Sequence, residues 1–283
     1  MSSVPRSIEN AVCPKISYKD WLVLKHYRPR SISTLLSLHR QLENYLSKEK
    51  LSLSVESLTV YAHWTLEQGY SGSYERQIYW GVKNYYQYLK LLYNASTPLY
   101  LPKLCHVKER RKALTKHELA QLENWLSENR TPLRKLLYVL FYGCGLRRRE
   151  AENLQLLDLN YSDKYLLVKT LKHGDYRELP LSSYQLDVFK AYIEKGRPVP
   201  KANFAAQLLI GPKGGRPSGL LSRELANWQQ GSELGRKLCW HVLRHTIATN
   251  LVNSGLDIRV VSHFLGHRSW SSTHHYLHYQ KEV

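Results

Sequence analysis

The 283-residue sequence predicts a mainly α-helical chain with one small antiparallel sheet, divided into two domains. Three observations carry that expectation. Apolar residues recur at three- and four-residue spacing through residues 17–93, with no strand signal. The convincing strand segments fall together, between residues 157 and 181. Between these regions the periodicity stops at Asn94–Ala113, which holds Pro98, Pro102 and a basic run from Lys103 to Lys112.

Residues 1–16 carry little pattern and read as a loose lead-in. The first domain is expected over 17–96 as four helices. Leu35, Leu38, Leu42 and Tyr45 share one face; Ser54 or Ser57 caps a helix carrying Leu58, Tyr61 and Trp64 that ends near Gly69; Ile78, Val82, Tyr85, Leu89 and Leu92 follow a 4-3-4-3 rhythm. Residues 97–113 read as a basic linker, and 114–283 as the second domain. There Thr115 and Glu118 form a capping box, and Pro132 starts a helix whose apolar run ends at Gly143-Cys144-Gly145. Glu150 opens a short helical stretch. Strands are expected at Leu157–Tyr161, Tyr165–Leu171 and Tyr176–Leu181, then a helix at Ser183–Glu194. Residues 195–220 read as an exposed, loop-rich insertion, followed by a polar helix over about Ser222–Leu234.

Composition narrows the function. The chain is 43% apolar, enough for a core, yet its formal net charge is +18. A folded protein this basic is expected to meet a polyanion, nucleic acid first. A membrane surface fits less well, because no long basic amphipathic helix has a bulky apolar face free to insert. The longest uncharged apolar run, Leu136–Leu146, is too short to span a bilayer. The four cysteines form no CxxC pair, which points to reduced thiols rather than a disulfide framework or zinc ribbon. With no signal-peptide core at the N-terminus, a cytoplasmic protein is expected.

The chemistry concentrates near the C-terminus. His241 and Arg244 form a His-x-x-Arg pair, Leu265-Gly266-His267 follows, and Tyr276 stands nine residues beyond that histidine. Asp257 is the one acid between His241 and Tyr276. Basic groups around one phenol suit attack on a phosphate diester. Arg147 and Arg244 could clamp non-bridging oxygens, since a guanidinium fork matches phosphate where an ammonium does not. His241 and His267 could donate to the phosphate or handle the phenol proton, Lys172 could protonate the leaving oxygen, and Tyr276 is the nucleophile, with Tyr279 its rival. The histidine pairs 241/245, 263/267 and 274/278 have metal-ligand spacing, but the glutamate of a metalloprotease helix is missing from each; no metal and no cofactor are expected.

These residues resemble the tyrosine recombinases of the phage integrase type, in particular the Xer-like members. The shared pattern is Gly145-Leu146-Arg147 with Glu150, Lys172 on a hairpin, His241-x-x-Arg244, Leu265-Gly266-His267 and Tyr276. The resemblance spans residues 17–279 and is strongest in these motifs. It implies a helical, SAM-like core-binding domain and an α+β catalytic domain that grip double-stranded DNA. It also implies cleavage and rejoining through a 3′-phosphotyrosine and a Holliday junction, in a tetramer, with an accessory DNA-bending or recombinase partner possible. Glu150 would support Arg147. On that reading Arg40, Arg76 and Lys83 of the first domain, Arg110 and Arg111 of the linker, and Arg148 and Arg149 are candidate DNA contacts. Seven residues follow Tyr276, so protomers are expected to interlock through another segment. The competing readings are a type IB topoisomerase-like nicking-closing enzyme and a catalytically silent DNA-binding relative.

Overall fold

A computed structural model describes residues 16–93, 97–104, 112–170 and 175–266. The chain divides into two compact units, Met1–Arg110 and Arg111–Val283. The first holds α1 (Tyr18–Leu24), α2 (Pro29–Lys48), α3 (Val55–Glu67) and α4 (Gly72–Tyr93). Its core is built from the expected stripes: Leu35, Leu38, Leu42 and Tyr45 of α2, Leu58 and Tyr61 of α3, and Ile78, Val82, Tyr85 and Leu89 of α4 are all buried. Ser54 caps α3, accepting from the Ser57 N–H at 3.1 Å while the Ser57 hydroxyl accepts from the Ser54 N–H at 3.0 Å. Each bond satisfies a donor that the helix start leaves orphaned. The core is unusually aromatic. Buried Asn84 completes it by accepting from Tyr18 Oη (2.8 Å) and donating to Tyr27 Oη (2.7 Å). Leu99, Leu101 and Leu104, from the stretch read as linker, pack against this core.

The second unit opens with α5 (Lys116–Glu128), whose Thr115–Glu118 capping box forms as expected. Pro132 then starts α6 (Pro132–Tyr138), which runs into one widened π-turn, Val139–Gly143. Leu136, Leu137, Leu140 and Phe141 are wholly buried there. Next come α7 (Arg148–Asn153) and a three-stranded antiparallel meander of β1 (Leu159–Asn160), β2 (Tyr165–Lys169) and β3 (Tyr176–Pro180). The remaining helices are α8 (Ser183–Ala191), α9 (Ser218–Gly231), α10 (Trp240–Asn253) and α11 (Ile258–Leu265). On α10, Trp240 stacks on Phe141 at 4.2 Å between ring centroids and meets Trp228 of α9 edge-on.

The described residues therefore form a mainly α-helical chain with one small antiparallel sheet. Two local expectations are corrected. The first strand is shorter than 157–161, because Leu156–Asp158 closes a 3-10 turn in which Asp158 accepts from the Gln155 N–H. The insertion 195–220 is exposed only in part. Leu208, Leu209 and Ile210 are fully buried, the Leu208 N–H donates to the Leu154 carbonyl, and the Leu156 N–H donates to the Ala206 carbonyl. Arg197 straps the segment by donating to the Ala205 and Gln207 carbonyls. The glycines and prolines around it had hidden a short apolar segment that completes the core.

Leu209→Ala should therefore lower the stability of this unit by about 2–5 kcal/mol in urea unfolding, the cost of a core truncation. A change within about 0.5 kcal/mol, normal for a surface site, would return the segment to the exterior.

Candidate active site

The site begins where the buried α6 segment ends. The widened turn is closed by the Cys144 N–H on the Val139 carbonyl (2.7 Å), and the Leu146 N–H reaches the Leu140 carbonyl (2.9 Å). Gly145 sits at φ +58, a left-handed conformation, and a Cβ there would lie 3.1 Å from Leu265 Cδ2. Only glycine turns the chain here without strain and without pressing on α11. The turn delivers Arg147 in extended conformation at the N-cap of α7.

Glu150 holds Arg147 at both ends. One carboxylate oxygen accepts from the Arg147 backbone N–H (2.9 Å), and the other from its Nη1 (2.6 Å). The same buried carboxylate takes Arg177 of β3, with Nη2 at 2.9 Å and Nη1 at 3.3 Å. Arg244 Nη1 lies 3.8 Å from it. Burial alone would raise the Glu150 carboxyl. Hydrogen bonding and charge from Arg177, with the backbone N–H and charge of Arg147, outweigh that and hold it at about 2, against an ordinary 4.5.

The same three arginines meet the C-terminal end of α11, where the last carbonyls lack helical partners. Arg177 Nε donates to the Phe264 carbonyl (3.0 Å), Arg244 Nη2 to the Leu265 carbonyl (2.5 Å), and Arg147 Nη2 to the Gly266 carbonyl (3.4 Å). Three consecutive carbonyls are thus each taken by a different guanidinium, at the end of a helix where the dipole favours positive charge. Gly266 ends α11 at φ +64, and a Cβ on it would lie 2.7 Å from Arg177 Nη1. The leucine–glycine step that the motif contains is therefore a tight helix stop packed on an arginine.

Exposure separates the arginines. The Arg147 side chain is 38% exposed, whereas those of Arg177 and Arg244 are 3% and 0% exposed. The two arginines of the expected clamp thus differ in exposure. Arg147 faces solvent. Arg244 is turned inward, with Nη1 on the Gly145 carbonyl and Nη2 on that of Leu265. His241 is exposed in the first turn of α10, three residues before Arg244 and so on nearly the same side of the helix. Lys172, His267 and Tyr276 lie outside the described residues, as do Arg110, Arg111 and the rival Tyr279. Among the described residues, no three His, Cys, Asp or Glu side chains gather as a metal site, and no helix is long and apolar enough to cross a membrane.

The expected DNA contacts divide similarly. Arg40, Arg76 and Lys83 are exposed on the first unit, and Arg149 on the second. Arg148 is engaged within the fold. It donates to Glu152 (2.8 Å), to the Ser218 carbonyl (2.7 Å) and to the Ser222 hydroxyl (3.1 Å), tying α7 to the start of α9.

The sequence reading missed Arg177. A signal was present: it shares strand parity with Leu179 and Leu181, so it points inward with them, and a buried arginine needs a carboxylate. β3 pairs Arg177 with Val168 and Leu179 with Leu166, which fixes that inward face.

Because Glu150 titrates lower in the folded chain than its ordinary 4.5, it stabilises the fold above that value, and the contribution disappears as pH falls towards 2. The contribution is about 3 kcal/mol. Glu150→Gln should lose that much at neutral pH in urea unfolding, and the gap to the parent should narrow steadily below pH 4.5. A gap independent of pH would show that the carboxylate charge does not hold the arginines.

Residues 112–282 match the Phage integrase family. The chain is 38% identical over 151 residues to tyrosine recombinase XerC of Pelotomaculum thermopropionicum, covering 51% of this chain and 49% of that protein. It is 31% identical over 169 residues to tyrosine recombinase XerA of Thermococcus kodakarensis, covering 58% and 57%. It thus spans about half the length of the curated relatives it matches. Among solved structures, it resembles the XerH site-specific recombinase bound to difH substrate in a pre-cleavage complex. There the TM-score is 0.70 at 20% identity, over 89% of this chain and 76% of that one. It also resembles a lambda integrase tetramer bound to a Holliday junction, with TM-score 0.70 at 15% identity over 92% and 74%. At these identities the solved structures speak for the fold alone, and it is the fold described above. With more than half of its length matched and the arginine–glutamate site in place, the chain belongs to the phage integrase family.

Proposed function

We propose that this protein is a site-specific DNA recombinase that cleaves and rejoins DNA through a 3′-phosphotyrosine. The observation that carries the reading is Arg147. It is partly open to solvent, braced at backbone and side chain by an ionised carboxylate, and hydrogen-bonded to the residue immediately before His267. A fixed guanidinium is what a phosphodiester in transition needs, because charge develops on its non-bridging oxygens.

In this scheme Tyr276 Oη attacks the phosphorus. The P–O bond to the 5′ oxygen breaks, the phenol proton passes to His241 or His267, and Lys172 protonates the leaving oxygen. Arg147 and Arg244 together clamp the non-bridging oxygens. A 5′ hydroxyl from a partner strand reverses the step. Each broken phosphodiester is exchanged for a phosphotyrosine and then restored, so the chemistry needs neither ATP nor a metal. Two rounds through a Holliday junction in a tetramer recombine two sites. Residues 17–96 act as a core-binding domain that applies Arg40, Arg76 and Lys83 to the duplex, 114–283 as the catalytic domain, and the linker's Arg110 and Arg111, with Arg149, add backbone contacts. Arg148, bound within the fold, contributes little. The setting is the cytoplasm, where an accessory DNA-bending or recombinase partner could join the assembly.

The test uses nicked duplex DNA from the region flanking the protein's own gene, without metal or ATP. SDS-resistant, protease-sensitive adducts are expected with the parent and not with Tyr276→Phe, whose DNA affinity should stay within a few-fold. An adduct that survives in that variant would transfer the nucleophile to another residue. Arg244→Lys should slow adduct formation by about 10²–10³, the cost of losing a transition-state donor. Relaxation of supercoiled DNA with no recombinant product from paired sites would replace the recombinase with a nicking-closing enzyme.

A further inference from the structure

We propose that Arg177 is a positioning residue of this site: it registers Glu150, and through it Arg147, against the end of α11 and its own strand, β3. The inference rests on the recombinase reading above.

Its geometry exceeds what neutralising a buried acid requires. Two of its nitrogens take both oxygens of Glu150, at 2.9 and 3.3 Å, and its Nε takes the Phe264 carbonyl at 3.0 Å. Its Nη1 also fits against Gly266 closely enough that a single Cβ there would collide. One planar group therefore touches three elements: α7 through Glu150, α11 through Phe264 and Gly266, and β3 through its own backbone. Each leads to a different expected catalytic residue. Glu150 holds Arg147. Gly266 immediately precedes His267. β3 begins at Tyr176, four residues after Lys172. A rotation of Arg177 would therefore release Glu150 and the end of α11 together. Lysine cannot substitute, because one ammonium cannot keep the flat, forked contact to the carboxylate and also reach the helix carbonyl. Misplacement by about 1 Å at such a site costs on the order of 10² in rate.

The experiment compares the parent, Arg177→Met and Arg177→Lys in single-turnover adduct formation on the nicked substrate, over a range of pH and with DNA affinity measured alongside. The ionisation of Glu150 in the DNA-free proteins is followed by NMR of labelled carboxyl carbons. Arg177→Lys keeps the positive charge and folds if neutralisation is all that folding needs. We expect its rate to fall at least 10-fold with DNA affinity unchanged and Glu150 still ionised at neutral pH. In Arg177→Met the Glu150 carboxyl should titrate well above the parent value. Its rate should fall about 10²-fold, with the deficit widening as pH drops, because a protonated Glu150 releases Arg147. Parental rates in Arg177→Lys, or a deficit in Arg177→Met that is the same at every pH, would reduce Arg177 to a charge partner and overturn the proposal. If the parent forms no adduct, the recombinase reading fails. The NMR arm then decides Arg177 alone: a Glu150 titration unmoved in Arg177→Met removes its hold on the carboxylate.

Discussion

One carboxylate and one helix end hold three arginines of the second unit together. Three guanidinium groups packed within a few ångströms repel one another. Glu150 offsets one positive charge, and the carbonyl end of α11 supplies roughly half of another. The cluster keeps an excess of about +1.5, and part of it reaches solvent at Arg147. That arrangement suits a group carrying a single negative charge, such as a phosphodiester. The carboxylate must remain ionised for the balance to hold, and the arginines around it ensure that it does.

The rest of the unit can be understood as fixing those two features. The buried residues Leu136, Leu137, Leu140 and Phe141 anchor the widened turn, which with Gly145 delivers Arg147. Packing of α10 through Trp240 onto that segment places Arg244 between the Gly145 and Leu265 carbonyls. The strand pairing of β2 and β3 turns Arg177 inward. Burying so many charges is costly unless each is paired. Here the donors are directed at a carboxylate and at carbonyls that a helix terminus leaves without partners. The same groups answer two needs: the helix end is satisfied, and the arginines are held in fixed orientations.

Arg148 shows that neighbours in sequence can have opposite roles. Arg147, Arg148 and Arg149 form an uninterrupted basic run. One caps α7 and faces Glu150, one ties α7 to α9, and one is exposed. Their order around the first turn of a short helix decides this, because successive residues leave a helix about 100° apart.

The sequence by itself determined the helical character of the first unit, the capping of α5, the position of the meander and the identity of the motif residues. These depend on short-range periodicity and on local side-chain chemistry, which are written in consecutive residues. Arg147 and Glu150 were legible as a pair through the family pattern that the motif resembles. Tertiary structure alone decided that Arg244 turns inward, that Arg177 joins the site and that 195–220 contributes Leu208–Ile210 to the core. Each depends on a partner far away in the chain: Gly145 lies 99 residues from Arg244, and Glu150 lies 27 from Arg177. Composition and spacing can show that an arginine exists. Only the packing of a strand and two helices around one carboxylate shows where its guanidinium goes.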